Sequence, residues 1–236
     1  MNSILFSSDE LVADNRVRLS GRTLQHVRGV LDAREGDELA VGLIGGKMGQ
    51  GKITRLDGNA LEMEVLLDCE PPAALPVTFI LALPRPKVMR RVLYSLTVMG
   101  VKRIILVNTA RVEKSYWQSP FLEQEAIRRQ LLLGLEQARD TIVPEVALKP
   151  RFKPFVEDEL PAIMQGTLAL VAHPGADATC PRTVPGPVTL AVGPEGGFVP
   201  YEVEMFVSRG FRAVCFGERA LNVESAVPSL IGRLLF

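Results

Sequence analysis

The chain is poor in the residues that build metal and disulfide centres. Its 236 residues include two histidines, His26 and His173, and three cysteines, Cys69, Cys180 and Cys215. Two histidines so far apart make no zinc motif, so no metal is expected. Cysteines that are odd in number and widely spaced form no disulfide framework and fit a reducing, cytoplasmic setting. Long apolar runs are also missing. None approaches the roughly 18 to 20 residues of a membrane helix. Asp9 and Glu10 fall where a secretory leader needs an apolar core, so no membrane partner is expected. There is no G-x-S-x-G elbow, and no G-x-G-x-x-G follows the first strand of the second half, which argues against a serine hydrolase and a dinucleotide site. Gly46 to Lys52 nearly spells a P-loop, but Ile53 replaces the Ser/Thr and a strand pattern follows, so a glycine hairpin is expected.

What is present is ordinary in bulk and uneven in detail. Apolar residues at 47% and charged residues at 23% describe a globular protein, long enough for one large domain or two small ones. The formal net charge of zero hides an asymmetry: residues 1–72 hold eight basic and twelve acidic side chains, residues 73–236 nineteen and fifteen. Between Pro84 and Lys114 stand Arg85, Lys87, Arg90, Arg91, Lys102, Arg103, Arg111 and Lys114 against the single acid Glu113. That run is either a phosphate-binding surface or a solvated helix face. Trp117 beside Tyr116 is open to two readings as well, a base-stacking platform or a buried aromatic pair.

Residues 1–72 carry short alternating stretches, RVRLS, DELAVGLI, GKITRL and ALEMEVLL, separated by Gly and Asp turns, with a short helix near Leu24–Leu31. This predicts a small β-barrel-like domain ending at the proline-rich CEPPAALP. From residue 73 the pattern becomes strand, helix, strand. VTFILAL, RIILVN, TLALVA and VTLAVG are unalternated apolar runs. A helix is expected over Pro86–Met99, another opens at Ser119-Pro120, and others lie near 157–165, near 201–209 and from Glu224. The expected fold class is α/β, a mainly parallel sheet covered on both faces.

Ligands of open α/β sheets bind beyond the carboxyl ends of the strands. Three such ends are rich in glycine or proline: Ala172-His173-Pro174, then Gly193-Pro194-Glu195-Gly196-Gly197, then Phe216 to Ala226. Loops of this kind expose main-chain groups suited to reading an adenine-bearing cofactor.

The strings LAVGPEGGF, GF-x-x-V-x-F-G-x-R-x-L and VESA, with LQHVRGVLDAREGDEL and P-x-P-K-x-M-R-R upstream, resemble the small-subunit rRNA uridine-N3 methyltransferases of the knotted SPOUT class. The resemblance implies a PUA-like RNA-binding barrel over 1–72 and a SPOUT domain with a trefoil knot over 73–236. It implies S-adenosylmethionine held by Ala172, His173, Pro174, Gly193, Pro194, Glu195, Gly196, Gly197, Phe216, Gly217, Leu221, Asn222, Ser225 and Ala226. It further implies a homodimer acting on 16S rRNA of the small ribosomal subunit, with His26, Arg28, Arg85, Lys87, Arg90, Arg91, Arg111, Lys114 and Arg139 as RNA contacts.

Methylating uridine N3 requires loss of an imide proton and alignment of the base. Arg219 is the candidate to stabilise charge on the uracil. Glu224 either orients it, takes part in proton removal, or is simply a first-turn acid favoured by the helix dipole. Asn222 stands where the family usually has arginine, which removes a charge near the expected target base and leaves a different RNA target, or a non-catalytic RNA-binding factor, as alternatives.

Overall fold

The computed structural model describes residues 3–236. The chain divides into two compact units, Met1–Ala73 with Leu132–Val143, and Ala74–Leu131 with Pro144–Phe236.

The first unit is built on a six-stranded sheet of β1 (Ile4–Phe6), β2 (Leu11–Ala13), β3 (Arg16–Leu19), β4 (Glu38–Leu43), β5 (Met48–Leu56) and β6 (Leu61–Cys69), with the helix α1 (Gly21–Gly29). The strand order is β1-β4-β5-β6-β3-β2, antiparallel except for the β1/β4 pair. Alternation drives it: Val17, Leu19, Ile53, Leu61 and Met63 point into one core with Phe6 and Val27, and the intervening polar residues face out. The near-P-loop lies in the β4–β5 turn and in β5 itself, so it cradles no phosphate. Gly49 there cannot be replaced freely, since a Cβ would fall 1.8 Å from the Leu66 carbonyl oxygen. Residues 132–143 were expected with the second half of the chain but fold with this unit. The Ser3 N–H donates to the Glu136 carbonyl at 2.9 Å, the Gly45 N–H donates to Thr141 at 2.9 Å, and Thr141 hydrogen-bonds the Gly46 carbonyl.

The second unit holds β7 (Val77–Ala82), α2 (Pro86–Val98), β8 (Arg103–Val107), α3 (Gln124–Ala138, shared with the first unit), β9 (Glu145–Lys149), α4 (Phe152–Pro154), α5 (Leu160–Ile163), β10 (Leu168–Ala172), β11 (Val188–Val192), α6 (Pro200–Ser208), β12 (Arg212–Val214) and α7 (Val223–Leu235). Its sheet runs β12-β10-β11-β7-β8-β9 and is parallel throughout. The unalternated runs are buried on both faces; every residue of β11 is buried. Two helices differ from expectation. Ser119-Pro120 opens only a 3-10 turn, Pro120–Leu122, because Glu123 is extended, and α3 starts after it. The helix expected near 157–165 contains a π stretch at Phe155–Glu159 between α4 and α5.

Candidate active site

Since β12, β10 and β11 are parallel neighbours, their carboxyl ends lie side by side and the loops leaving them converge. They line one open-mouthed pocket, at the place where ligands of parallel α/β sheets bind. Ala172, His173, Pro174, Gly193, Pro194, Glu195, Gly197, Phe216, Gly217, Leu221 and Ala226 line it, as does Arg219. Gly196, Asn222 and Ser225, also expected there, do not. The sequence reading missed the apolar walls, Val192, Val214, Val223 and Leu230. They look like core in the sequence; Val192, Val214 and Val223 are marked only by their strand-end or helix-start positions, and Leu230, in the middle of α7, by nothing.

The polar groups of the pocket are mostly main chain. Among the described residues, no backbone–backbone hydrogen bond involves residues 216–221, which leaves their N–H and C=O groups available. The His173 Nδ1 is buried with no partner. Gly193 has to be glycine, because a Cβ would sit 2.9 Å from the Phe198 nitrogen. Gly197 takes a φ of 70° while its N–H donates to the Pro194 carbonyl at 2.8 Å. Apolar walls with free main-chain donors and acceptors suit a flat heterocycle such as a purine. The outer loop is held by the 178–184 segment. The Cys215 N–H donates to Ala178 and the Cys180 N–H to Cys215, at 2.8 and 2.7 Å, while Thr183 and Val184 donate to the Arg233 and Leu234 carbonyls at the end of α7.

The loop after β11 is also fastened to the segments that leave β7 and β8. Glu202, 2% exposed, accepts from the Ala110 N–H at 2.6 Å and the Val199 N–H at 2.9 Å. It was not singled out in the sequence, where it looks like one more acid on a helix. Arg111 donates to the Gly196 carbonyl, and Glu195 Oε1 accepts from the Arg85 N–H at 3.0 Å.

The three catalytic candidates do not form one cluster. Glu224 Oε1 lies 3.0 Å from Arg91 Nη1 and pairs with it rather than with Arg219. Asn222 is the N-cap of α7, its side-chain oxygen accepting the Ser225 N–H at 2.8 Å. Arg219 is exposed at the pocket and has no ion-pair or hydrogen-bond partner among the described residues.

The basic candidates divide in the same way. Arg90 stacks over the Phe121 ring at 4.7 Å, while Arg91 and Arg111 have the partners already named. The Tyr116 hydroxyl, with Glu195 and Glu113 behind it, holds the Arg85 guanidinium more firmly protonated than a free arginine. Tyr116 donates to Glu113 Oε1 at 2.9 Å, and burial first, then that bond, pushes its own hydroxyl up. Trp117 is half-buried and donates its indole N–H to Asn108 at 2.8 Å. Lys87 and Lys114 are exposed without a hydrogen-bond or ion-pair partner among the described residues. In the first unit, Arg28 is exposed and His26 half-buried on α1, and Arg139, at a φ of 54°, lines a groove with Glu38, Glu64 and Asp68. No group of three His, Cys, Asp or Glu that could hold a metal, and no helix long and apolar enough to cross a membrane, occurs among the described residues.

This is a parallel α/β domain with a ligand pocket beyond its strand ends and a basic helix beside it. A family model described as an RNA methyltransferase domain matches residues 71–235. The chain is 30% identical over 233 residues to the Ribosomal RNA small subunit methyltransferase E of Treponema pallidum, covering 96% of this chain and 87% of that protein. It is 25% identical over 228 residues to the Synechocystis protein of the same name, covering 94% and 73%. The Neisseria gonorrhoeae Ribosomal RNA small subunit methyltransferase E, solved bound to S-adenosyl methionine, has a TM-score of 0.77 at 21% identity and 98% coverage of both chains. The chain belongs to the RNA methyltransferases and, within them, to the ribosomal RNA small subunit methyltransferase E family.

Proposed function

We propose that this chain transfers a methyl group from S-adenosylmethionine to N3 of a uridine in small-subunit ribosomal RNA. The observation that carries it is the pocket, where three glycine- or proline-rich loops present free main-chain groups between apolar walls. The bound cofactor supplies an electrophilic methyl. The protein supplies position: residues 216–221 and the His173 edge offer hydrogen bonds to a purine, and Val192, Val214, Val223 and Leu230 exclude water. Arg219, with no ion-pair or hydrogen-bond partner among the described residues, stabilises the uracil anion formed as the N3 proton passes to water at the open mouth. Glu224 acts at a distance, setting Arg91 and the start of α7. Lys87 and Lys114, with Arg85 and Arg111 behind them, engage RNA phosphates, and α1 with His26 and Arg28 gives the first unit its share of RNA contact.

The hydrogen bonds that join residues 178–184 to Cys215 and to the end of α7 support a trefoil-knotted SPOUT domain, and the six-stranded first unit supports a PUA-like domain. Exposed Tyr94, Phe216, Leu221 and Phe236 in the second unit supply apolar surface for a homodimer. The test pairs calorimetric S-adenosylmethionine binding with labelled methyl transfer to unmodified small ribosomal subunits, using wild type and Gly193→Val. Wild type binds and transfers, whereas the variant, whose side chain collides with the Phe198 backbone, loses at least tenfold in affinity. A wild type that binds no cofactor overturns the proposal.

A further inference from the structure

One residue touches both halves of the reaction. Glu195 lines the cofactor pocket and also reaches the N-cap residue of the basic helix. Arg85 is the N-cap of α2, and its own side chain makes no cap; its N–H donates instead to Glu195 Oε1, 110 residues further on, at 3.0 Å. The Tyr116 hydroxyl and the Glu195 carboxylate both favour the charged Arg85 guanidinium, and Tyr116 itself donates to Glu113. One residue beyond Glu195, the Gly196 carbonyl receives Arg111 from the loop after β8. Through two consecutive residues, the cofactor loop is therefore tied to α2 and to a second basic segment.

We infer that Glu195 is a positioning residue that couples cofactor binding to RNA binding, by holding the pocket loop against the N-terminus of α2. This rests on the methyltransferase reading above. A ligand that orders the 193–197 loop fixes Glu195 and with it the start of α2, which carries Lys87, Arg90 and Arg91. RNA that then binds α2 meets a helix already set, and a smaller ordering cost remains to be met. The reverse order gives the same advantage, because coupling between two binding sites is reciprocal.

The test uses S-adenosylhomocysteine, so that no turnover intervenes, and an unmodified 16S rRNA transcript. The dissociation constant of each is measured with and without the other, for wild type, Glu195→Ala, Glu195→Gln and Tyr116→Phe. In wild type each ligand tightens the other by the same factor, about fivefold or more. In Glu195→Ala that factor falls to near one, whatever happens to the separate affinities. Glu195→Gln keeps an acceptor for the Arg85 N–H and retains most of the coupling. Tyr116→Phe, outside the pocket, loses part of it. A uniform packing defect would weaken both ligands and leave the factor unchanged, and that result overturns the inference. Wild type that binds both ligands independently overturns it too. A wild type that binds neither overturns the methyltransferase reading beneath it.

Discussion

Arg91 and Glu224 join the basic helix α2 to the first turn of α7 through an ion pair of 3.0 Å, 133 residues apart in sequence. Glu224 is thereby paired with Arg91 rather than with Arg219, and the proposed mechanism gives the two candidates different jobs. Arg219→Ala should lower kcat by about a hundredfold, the scale of a lost charge-stabilising group, with cofactor affinity nearly unchanged. Glu224→Gln should cost less than about tenfold. Single-turnover methyl transfer under saturating cofactor checks both, and equal losses would return Glu224 to the chemistry.

Asn222 stands in the position the family resemblance assigns to arginine, and here it caps α7. Asn222→Ala should lower stability by about 1 kcal/mol, while Asn222→Asp, which keeps the acceptor, should be close to neutral. Chemical denaturation reads the difference. An unchanged midpoint in Asn222→Ala would mean that the cap contributes nothing.

Glu202 is a buried carboxylate whose two oxygens hold the Ala110 and Val199 N–H groups. Glu202→Ala strands both donors and should cost about 3 kcal/mol, and it should weaken cofactor binding because the loop after β11 loses its tether to the β8 loop. Glu202→Gln, with one acceptor left, should fall between. Thermal unfolding with titrated cofactor separates the two effects.

The cysteines report on the pocket. Burial pushes the Cys180 thiol up, with Arg233 opposing, and the bond to Asp68 pushes the exposed Cys69 thiol up. Thiolate is the species alkylated, so both should react slowly at neutral pH and faster as pH rises. Cys215 lines the pocket. Its alkylation should slow at least fivefold when S-adenosylhomocysteine is present, as peptide mass analysis would show. The Cys69 rate should stay the same.

Lys87 and Lys114 are exposed charges of the basic segment with no hydrogen-bond or ion-pair partner among the described residues. Changing either to Gln should weaken RNA binding and reduce the salt slope by about one unit each. Arg90→Gln and Arg91→Gln should change it less, since Phe121 and Glu224 already occupy those side chains. Filter binding across a salt series decides between them.

Much of this was legible because it is local. Unalternated runs such as VTFILAL announce buried parallel strands, and glycine- or proline-rich stretches at three strand ends mark the loops that line the pocket. Partnerships across long sequence distances were not legible. Nothing in residues 124–138 shows that α3 changes core halfway, because its apolar period continues unbroken from Ile127 to Leu135. Glu202 looks like a surface acid until the Ala110 and Val199 amides are placed on it. Arg91 and Glu224 give no sign of each other in sequence. The 3-10 turn at Pro120–Leu122 satisfies the same cap and proline signals as a helix start, and only the extended Glu123 tells them apart.

The central claim is tested most directly by digesting small-subunit RNA after methyl transfer and identifying the labelled nucleoside. The account predicts N3-methyluridine at a single position, lost in Arg219→Ala. Label on another nucleoside, or none from a protein that binds the cofactor, would contradict it.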